Sequence, residues 1–178
     1  MRVLFVCTGN ICRSPTAERL AAELAATREI PQFVASSAGT HAMIGYPVHV
    51  EAARVIRDLG GDPADFAARQ LTPAIANGVD LVLTMTTAHR NSVLELAPRQ
   101  FRRTFTLGEA ALLATEHEQA TVTDLAGLRP HLAGRRVAEI ADPIGHDREY
   151  FEEVGVQIAR LLPAVLDLCR RTAAPAGD

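Results

Sequence analysis

A short stretch near the start of the chain combines a cysteine, an arginine and a serine with residues that favour tight turns. It reads Cys-Thr-Gly-Asn-Ile-Cys-Arg-Ser-Pro over residues 7–15. Gly9 lets the backbone approach a ligand closely, and Asn10 tolerates the positive φ that a ring of inward-facing amides needs. Arg13 offers a planar guanidinium that can bind two phosphate oxygens. Positive potential at such a loop favours the thiolate of Cys7, so the stretch predicts a nucleophile beside an anion site.

Two regular elements position this stretch. Residues 3–6 form a β-branched and aromatic run that predicts a buried central strand. Ser14 and Pro15 predict the start of a helix, with Ser14 as the N-cap and Pro15 in the first turn. A loop between a strand end and a helix N-terminus suits an anion, because the loop amides and the helix dipole place positive charge at the same point. The alternative, that Cys7 and Cys12 are small buried core residues, leaves the combination of residue types unexplained.

The rest of the chain alternates between predicted strands and helices. Since this alternation is typical of a parallel sheet covered on both faces, we predict an α/β fold with one three-layer domain over residues 1–172. A C-terminal tail at residues 173–178 is expected to fray. The further strands are predicted at residues 32–35, 80–84 and 101–107, a turn at 36–40, and the further helices at 48–59, 72–77, 87–96, 109–114 and 147–171.

Composition excludes several classes of protein. The chain has 178 residues and a net charge of −3, which gives no general attraction to nucleic acid or to an anionic membrane. No apolar run approaches a membrane span, and Met1 leads almost directly into a predicted strand, so we expect no membrane insertion and no secretory signal. A thiolate nucleophile needs a reducing compartment, and three cysteines do not make a disulfide framework, so we expect a cytoplasmic location. We also expect a monomer. Zinc is disfavoured because Cys7 and Cys12 lack a second close pair of ligands.

The stretch at residues 7–15, with Ala17-Glu18 after it, resembles the signature loop of the low-molecular-weight protein-tyrosine phosphatases. The resemblance continues to about the final helix. It implies a four-stranded parallel sheet in the order 2-1-3-4, a phosphotyrosine-containing protein as substrate, and neither a cofactor nor a metal. The further motifs that carry it are Ser37-Ala38-Gly39-Thr40, Ala68-Arg69-Gln70-Leu71-Thr72, Asp80-Leu81-Val82-Leu83-Thr84-Met85 and Asp142-Pro143.

The resemblance also implies catalytic roles. Cys7 would attack phosphorus and Arg13 would clamp the phosphate. Asp142 would protonate the leaving oxygen and later activate water, although Asp-Pro also caps turns in many proteins. The phosphate-binding positions would be Thr8, Gly9, Asn10, Ile11, Cys12, Arg13 and Ser14.

Four positions resemble the supporting residues of that family. Ser14 would hydrogen-bond the nucleophile and help the thiolate leave, while Asn10 and Ser37 would brace the loop. Cys12 matches a second cysteine that can form a reversible disulfide with the oxidised nucleophile. The alternative for Cys12 is a small core residue.

Several positions depart from better-known members of the family. Phe66 stands where the bracing network often has a histidine. Ile144 and Gly145 replace aromatic residues that wall the phosphotyrosine ring, and Met43 stands at another wall position. Ile11 matches the tyrosine-specific branch, whereas the arginine-phosphatase branch has a threonine there.

Other functions stay open on the sequence alone. A protein-arginine phosphatase would share the loop, and so would an arsenate reductase that uses a low-molecular-weight thiol. Thioredoxin-linked arsenate reductases pass oxidation to cysteines in the middle of the chain, but none lies between Cys12 and Cys169. A phosphate-binding or flavodoxin-like module would use the loop only to hold phosphate. Among the scattered histidines, His89 has the best chance of lying near the site.

Overall fold

The structure is a computed structural model that describes residues 1–173. The strands are β1 Arg2–Cys7, β2 Val34–Gly39, β3 Leu81–Thr84 and β4 Thr104–Thr106. The helices are α1 Arg13–Thr27, α2 Val50–Asp58, α3 Pro73–Asn77, α4 Thr87–Leu96, α5 Leu107–Glu116, α6 Leu125–Leu128 and α7 Arg148–Ala173, with 3-10 helices at Pro98–Arg103 and Arg129–Leu132. All strand pairs are parallel, and the order β2-β1-β3-β4 confirms the predicted fold and strand order.

Alternating side chains of the central strand β1 divide the core into two layers. Val3 and Phe5 belong to a large buried cluster that also contains residues of α1, α5 and α7. Leu4 and Val6 belong to a second cluster with residues of α3 and α4. Helix α2 packs against α1 and α7. The sheet is therefore covered on both faces, and the loop after β1 emerges at its carboxyl edge.

Some predicted boundaries are wrong. Helix α1 begins at Arg13, and Ser14 lies in its first turn instead of capping it; Cys12 is the capping position and makes no side-chain capping hydrogen bond. Strand β2 continues to Gly39 through residues that the sequence assigns to a turn, because it pairs with β1 along its whole length. Strand β4 is shorter than predicted because the 3-10 helix Pro98–Arg103 takes its first residues.

Other local predictions are confirmed. The Thr72 hydroxyl accepts a hydrogen bond from the amide of Ile75 at 3.2 Å and caps α3. Helix α4 has the predicted bounds. Ala173, placed in the fraying tail by the sequence, is the last residue of α7, and the remainder of that tail lies outside the described residues. Within residues 1–173, no helix is both long and apolar enough to cross a membrane.

Candidate active site

The loop between β1 and α1 lies at the carboxyl edge of the sheet, where open α/β sheets bind ligands. Cys7 is the last residue of β1, is buried, and pairs with Gly39 of β2. Asn10 has φ 56°, so the positive φ expected from the sequence is confirmed. Arg13 opens α1, which puts its side chain and the helix N-terminus at the same end of the loop.

Hydrogen bonds connect the nucleophile candidate to a partly buried carboxyl group, that of Glu18. Ser14 Oγ lies 3.0 Å from Cys7 Sγ. Asn10 Nδ2 donates to Ser14 Oγ at 2.9 Å and to Ser37 Oγ at 2.8 Å, and Ser37 Oγ donates to Glu18 Oε2 at 2.5 Å. Burial raises the pKa of Glu18, while the Ser37 hydrogen bond opposes that rise. The loop-bracing residues predicted by resemblance thus lie together, and Glu18 ends their network.

The segment that contains Arg69 contacts the side-chain carbonyl oxygen of Asn10. The amide of Arg69 donates to Asn10 Oδ1 at 2.9 Å, and Arg69 Nε donates to the carbonyl of Ser37 at 2.7 Å. The Arg69 carbonyl in turn accepts from the amide of Gly39 at 3.0 Å. Hydrogen bonds from Arg69 therefore hold both Asn10 and Ser37, in addition to the hydrogen bond between these two side chains.

Arg13 joins the loop to the segment that carries Asp142. Its side chain is only 5% exposed, and its Nη2 donates to Asp142 Oδ2 at 2.6 Å. Its Nη1 donates to the carbonyl of Ile140 at 3.2 Å. Arg13 Nε is buried without a hydrogen-bond partner among the residues that the structure describes. The guanidinium thus retains a donor that an anion can use, beside a carboxyl group that is 49% exposed.

His89 contacts the catalytic loop. The sequence indicated only that this histidine lies nearer the site than the others. Its Nε2 is hydrogen bonded to Thr8 Oγ1 at 2.9 Å, and its Nδ1 to Thr86 Oγ1 at 2.9 Å. Burial, together with the positive charge of Arg13, lowers the pKa of His89 to about 4. His89 is therefore a neutral imidazole at physiological pH, and it ties the start of α4 to the residue that follows the nucleophile.

The start of α4 also holds the segment that leads to Asp142. Glu139 Oε1 accepts from the amide of Thr87 at 2.7 Å and from its hydroxyl at 2.5 Å. The Ile140 amide donates to the carbonyl of Met85 at 2.9 Å. One helix N-terminus thus contacts both segments that carry the candidate catalytic residues.

Cys12 lies on the inner side of the loop, in a cluster with Val48, Ile56 and Phe151. Burial raises the pKa of its thiol to about 12, and the neighbouring Cys7 acts in the same direction. Both cysteines are free thiols. Cys12 is therefore a protonated core thiol near the nucleophile.

The rim of the loop is apolar. Met43, Tyr46 and Ile144 are exposed, and Ile11 of the loop is partly buried and lines a groove together with Met43 and Tyr46. Phe66 takes no part in the hydrogen-bond network; it packs against the buried cluster that contains Cys12, and its ring centroid lies 5.6 Å from the guanidinium of Arg19. Across residues 1–173, no three histidine, cysteine or acidic side chains are grouped closely enough to hold a metal ion.

A cysteine at the end of a parallel strand, followed by a tight loop and a helix that begins with a buried arginine, is the arrangement expected of a cysteine-dependent phosphatase of the α/β class. The chain belongs to the low molecular weight phosphotyrosine protein phosphatase family, whose model matches residues 2–124. This result confirms the family indicated by the sequence motifs, and with it a cysteine-dependent enzyme.

Individual relatives agree with the assignment to this family. The chain is 30% identical to the low molecular weight protein-tyrosine-phosphatase Ptp of Acinetobacter johnsonii over 156 residues, which cover 88% of this chain and 89% of the relative. It is 37% identical over 106 residues to a protein-arginine-phosphatase of Geobacillus stearothermophilus, covering 60% and 68% of the two chains. The crystal structure of the T. tengcongensis low molecular weight protein tyrosine phosphatase superposes with a TM-score of 0.74 at 29% identity, covering 93% of this chain and 97% of that one.

Proposed function

We propose that the protein removes phosphate from phosphotyrosine in proteins through a phosphocysteine intermediate. The observation that carries this proposal is one sheet edge at which Ser14 Oγ lies 3.0 Å from Cys7 Sγ and the buried guanidinium of Arg13 binds Asp142 at 2.6 Å. A nucleophile, a phosphate-binding cation and an acid are the three groups that hydrolysis of a phosphate monoester needs without a metal.

In the first step Cys7 Sγ attacks phosphorus, the S–P bond forms and the bond to the phenolic oxygen breaks. Arg13 and the loop amides stabilise the charge on the three remaining oxygens. When the phosphate binds the guanidinium, it displaces Asp142 from its ion pair with Arg13, and the released Asp142 takes part in this step as the protonated acid. Asp142 donates this proton to the leaving phenolate.

In the second step water attacks the phosphocysteine. The Asp142 carboxylate takes a proton from that water, the P–O bond forms and the S–P bond breaks. Ser14 donates a hydrogen bond to the departing thiolate of Cys7. Inorganic phosphate leaves and the starting protonation state returns.

The rim supports an aromatic substrate through apolar contacts, although aromatic wall residues of better-known members are replaced here. Ile11, Met43 and Ile144 offer apolar surface on which a phenyl ring can pack. Phosphoarginine is the second candidate, because a relative of 37% identity is a protein-arginine-phosphatase. Ile11 favours tyrosine, since the arginine-specific branch has a threonine at the matching position.

Initial rates with an aryl phosphate, a phosphotyrosine peptide and a phosphoarginine peptide, measured under reducing conditions with a chelator present, test this function. We expect Cys7→Ser to abolish turnover and Asp142→Asn to reduce kcat by about 10²–10⁴-fold, as for loss of general acid–base catalysis. Asp62→Asn, at an exposed turn, is the matched control and should keep full activity. Wild type that hydrolyses none of the three substrates, or activity that survives Cys7→Ser, would contradict the proposal.

We also infer a cytoplasmic monomer with a single domain over residues 1–172. The free thiols of Cys7 and Cys12 support a reducing compartment. Light scattering on the purified protein tests the monomer, and fractionation of the native cells tests the location.

A further inference from the structure

A groove of about 550 Å³ leads from the phosphate-binding loop along helix α2. Ile11 of the loop and Met43 line one end, and Arg57 lines the other. Tyr46 and Val50 also line the groove and are 57% and 59% exposed. The α2 residues of this groove recur every three or four positions, so they share one face of the helix. An open apolar surface of this kind is typical of a binding site.

Backbone hydrogen bonds join the groove to the catalytic loop. The amide of Met43 donates to the carbonyl of Gly9 at 2.9 Å, and the amide of His49 donates to the carbonyl of Ile11 at 2.8 Å. The groove is therefore continuous with the site, and a polypeptide bound by its phosphate must pass one rim of the loop.

The far end of the groove carries an available positive charge. Arg54 is paired with Glu51 at 2.9 Å. Arg57 is exposed and makes no salt bridge with any of residues 1–173. An acidic side chain would complement Arg57, whereas a basic one would be repelled.

We propose that this groove binds the polypeptide on one side of the phosphorylated residue, with an apolar side chain against Tyr46 and Val50 and an acidic side chain at Arg57. The proposal rests on the proposed phosphatase function and names its substrate class: phosphoproteins with an acidic residue near the phosphotyrosine. A helix rises about 1.5 Å per residue, so Val50 and Arg57 are roughly 10 Å apart along α2. An extended peptide covers about 3.3 Å per residue, so the acidic residue lies about three positions beyond the residue at Val50, and about four positions from the phosphotyrosine when the residue at Val50 is its neighbour.

Phosphotyrosine peptides that differ only in the charge of one residue test the groove. One series places Glu, Gln or Lys four positions before the phosphotyrosine and a second places it four positions after. At low salt we expect wild type to prefer Glu over Gln in one series by about two- to fivefold in kcat/KM, and to disfavour Lys. Arg57→Glu should reverse this order. The preference should shrink in 0.5 M salt as the charges are screened.

The matched control is Arg102→Glu, which makes the same charge change at an exposed site near Met1 and Asp80, on the opposite edge of the sheet. It should keep the Glu preference. Hydrolysis of a small aryl phosphate, which cannot reach Arg57, should be the same in wild type and both variants. Val50→Ser should lower kcat/KM for peptides with a leucine between the two anchors and leave aryl phosphate hydrolysis unchanged.

The outcomes separate this proposal from the function on which it rests. No aryl phosphate hydrolysis by wild type would contradict the phosphatase function itself. Normal aryl phosphate hydrolysis with equal rates for Glu, Gln and Lys peptides in both series would overturn the groove proposal alone. A change of oligomeric state in Val50→Ser or Arg57→Glu, without a change in peptide preference, would show that a second copy of the chain occupies the groove and would also overturn it.

Discussion

The hydroxyl oxygen of Ser14 lies 3.0 Å from the sulfur of Cys7. Asn10 uses both protons of its side-chain amide as donors, one to Ser14 and one to Ser37. Because Ser14 accepts from Asn10, its own proton is free to point at a Cys7 thiolate. The Ser37 proton points at Glu18. In this arrangement the Ser14 hydroxyl is oriented to donate a hydrogen bond to the sulfur of Cys7 when that sulfur leaves in the second step.

Ser14→Ala should slow breakdown of the phosphocysteine. A hydrogen bond to a charged group contributes about 1.5–3 kcal/mol, so kcat should fall roughly 10- to 100-fold. Rapid-quench kinetics with an aryl phosphate should then show a burst of the phenol and accumulation of phosphoenzyme. Ser92→Ala, on the outer part of α4, is the control with unchanged kinetics. A fall in kcat without phosphoenzyme accumulation would locate the role of Ser14 in the first step instead.

His89 should act as a positioning residue through Thr8. Thr8→Val and His89→Phe each remove the 2.9 Å hydrogen bond between these side chains. Each should lower kcat/KM about five- to tenfold, the equivalent of one ordinary hydrogen bond, and weaken inhibition by inorganic phosphate to a similar extent. Since both variants lose the same contact, the double variant should be little worse than His89→Phe alone. Additive losses in the double variant would show that the two residues act independently.

A hydroxyl on α5 provides the matched control. Thr115 donates to the carbonyl of Ala111 within the helix, and Thr115→Val should change neither kcat/KM nor phosphate inhibition. Comparison of melting temperatures separates a loss of phosphate binding from a general loss of folding.

The buried imidazole of His89 should make stability depend on pH. Its pKa falls from 6.5 to about 4 on folding, because burial and Arg13 outweigh the opposing charges of Asp142 and Glu139. The unfolded chain therefore binds more protons than the folded protein between pH 6.5 and pH 4, and the free energy of unfolding should fall as the pH falls through this window. Urea unfolding of wild type and His89→Gln at pH 7, 6, 5 and 4.5 measures this effect. The variant should show a weaker pH dependence, and equal slopes for the two proteins would refute the assignment.

The parts of the site that were predictable lie within one contiguous motif. The loop, the strand before it and the strand order all follow from local residue types or from the family resemblance. The predicted N-cap at Ser14 was wrong because its hydroxyl contacts the sulfur of Cys7 instead of the backbone amides. The contact between His89 and Thr8 joins residues 81 positions apart, and no local sequence pattern predicts a contact between residues so far apart in the chain. Asp142 was found only through resemblance, since its pairing with Arg13 spans 129 positions.

Gly39 should be intolerant of any side chain. A Cβ at this position would overlap the carbonyl oxygen of Thr8, which is backbone and cannot rotate away. Gly39→Ala should therefore displace the catalytic loop, destabilise the fold by about 1–3 kcal/mol and weaken phosphate binding. Gly127→Ala is the control, because a Cβ there meets nothing within 4 Å. Chemical denaturation and phosphate inhibition of both variants measure the two effects, and a fully stable and active Gly39→Ala would contradict this account.

Cys12 should protect oxidised Cys7 by forming a disulfide with it. This reaction should be slow at neutral pH. Peroxide converts the Cys7 thiolate to a sulfenic acid; the Cys12 thiolate then attacks that sulfur, hydroxide leaves and a disulfide forms. Because the pKa of Cys12 is about 12, its thiolate fraction, and with it the rate of disulfide formation, should rise about tenfold per pH unit between pH 7 and pH 9. Mass spectrometry after trapping of the sulfenic acid measures this rate.

The variant Cys12→Ser should leave the sulfenic acid of Cys7 open to further oxidation, and its activity should no longer be recovered by dithiothreitol. Cys169→Ser, which removes a thiol buried in α7, should behave as wild type. A rate that does not change with pH, or a disulfide to Cys169, would refute this role for Cys12.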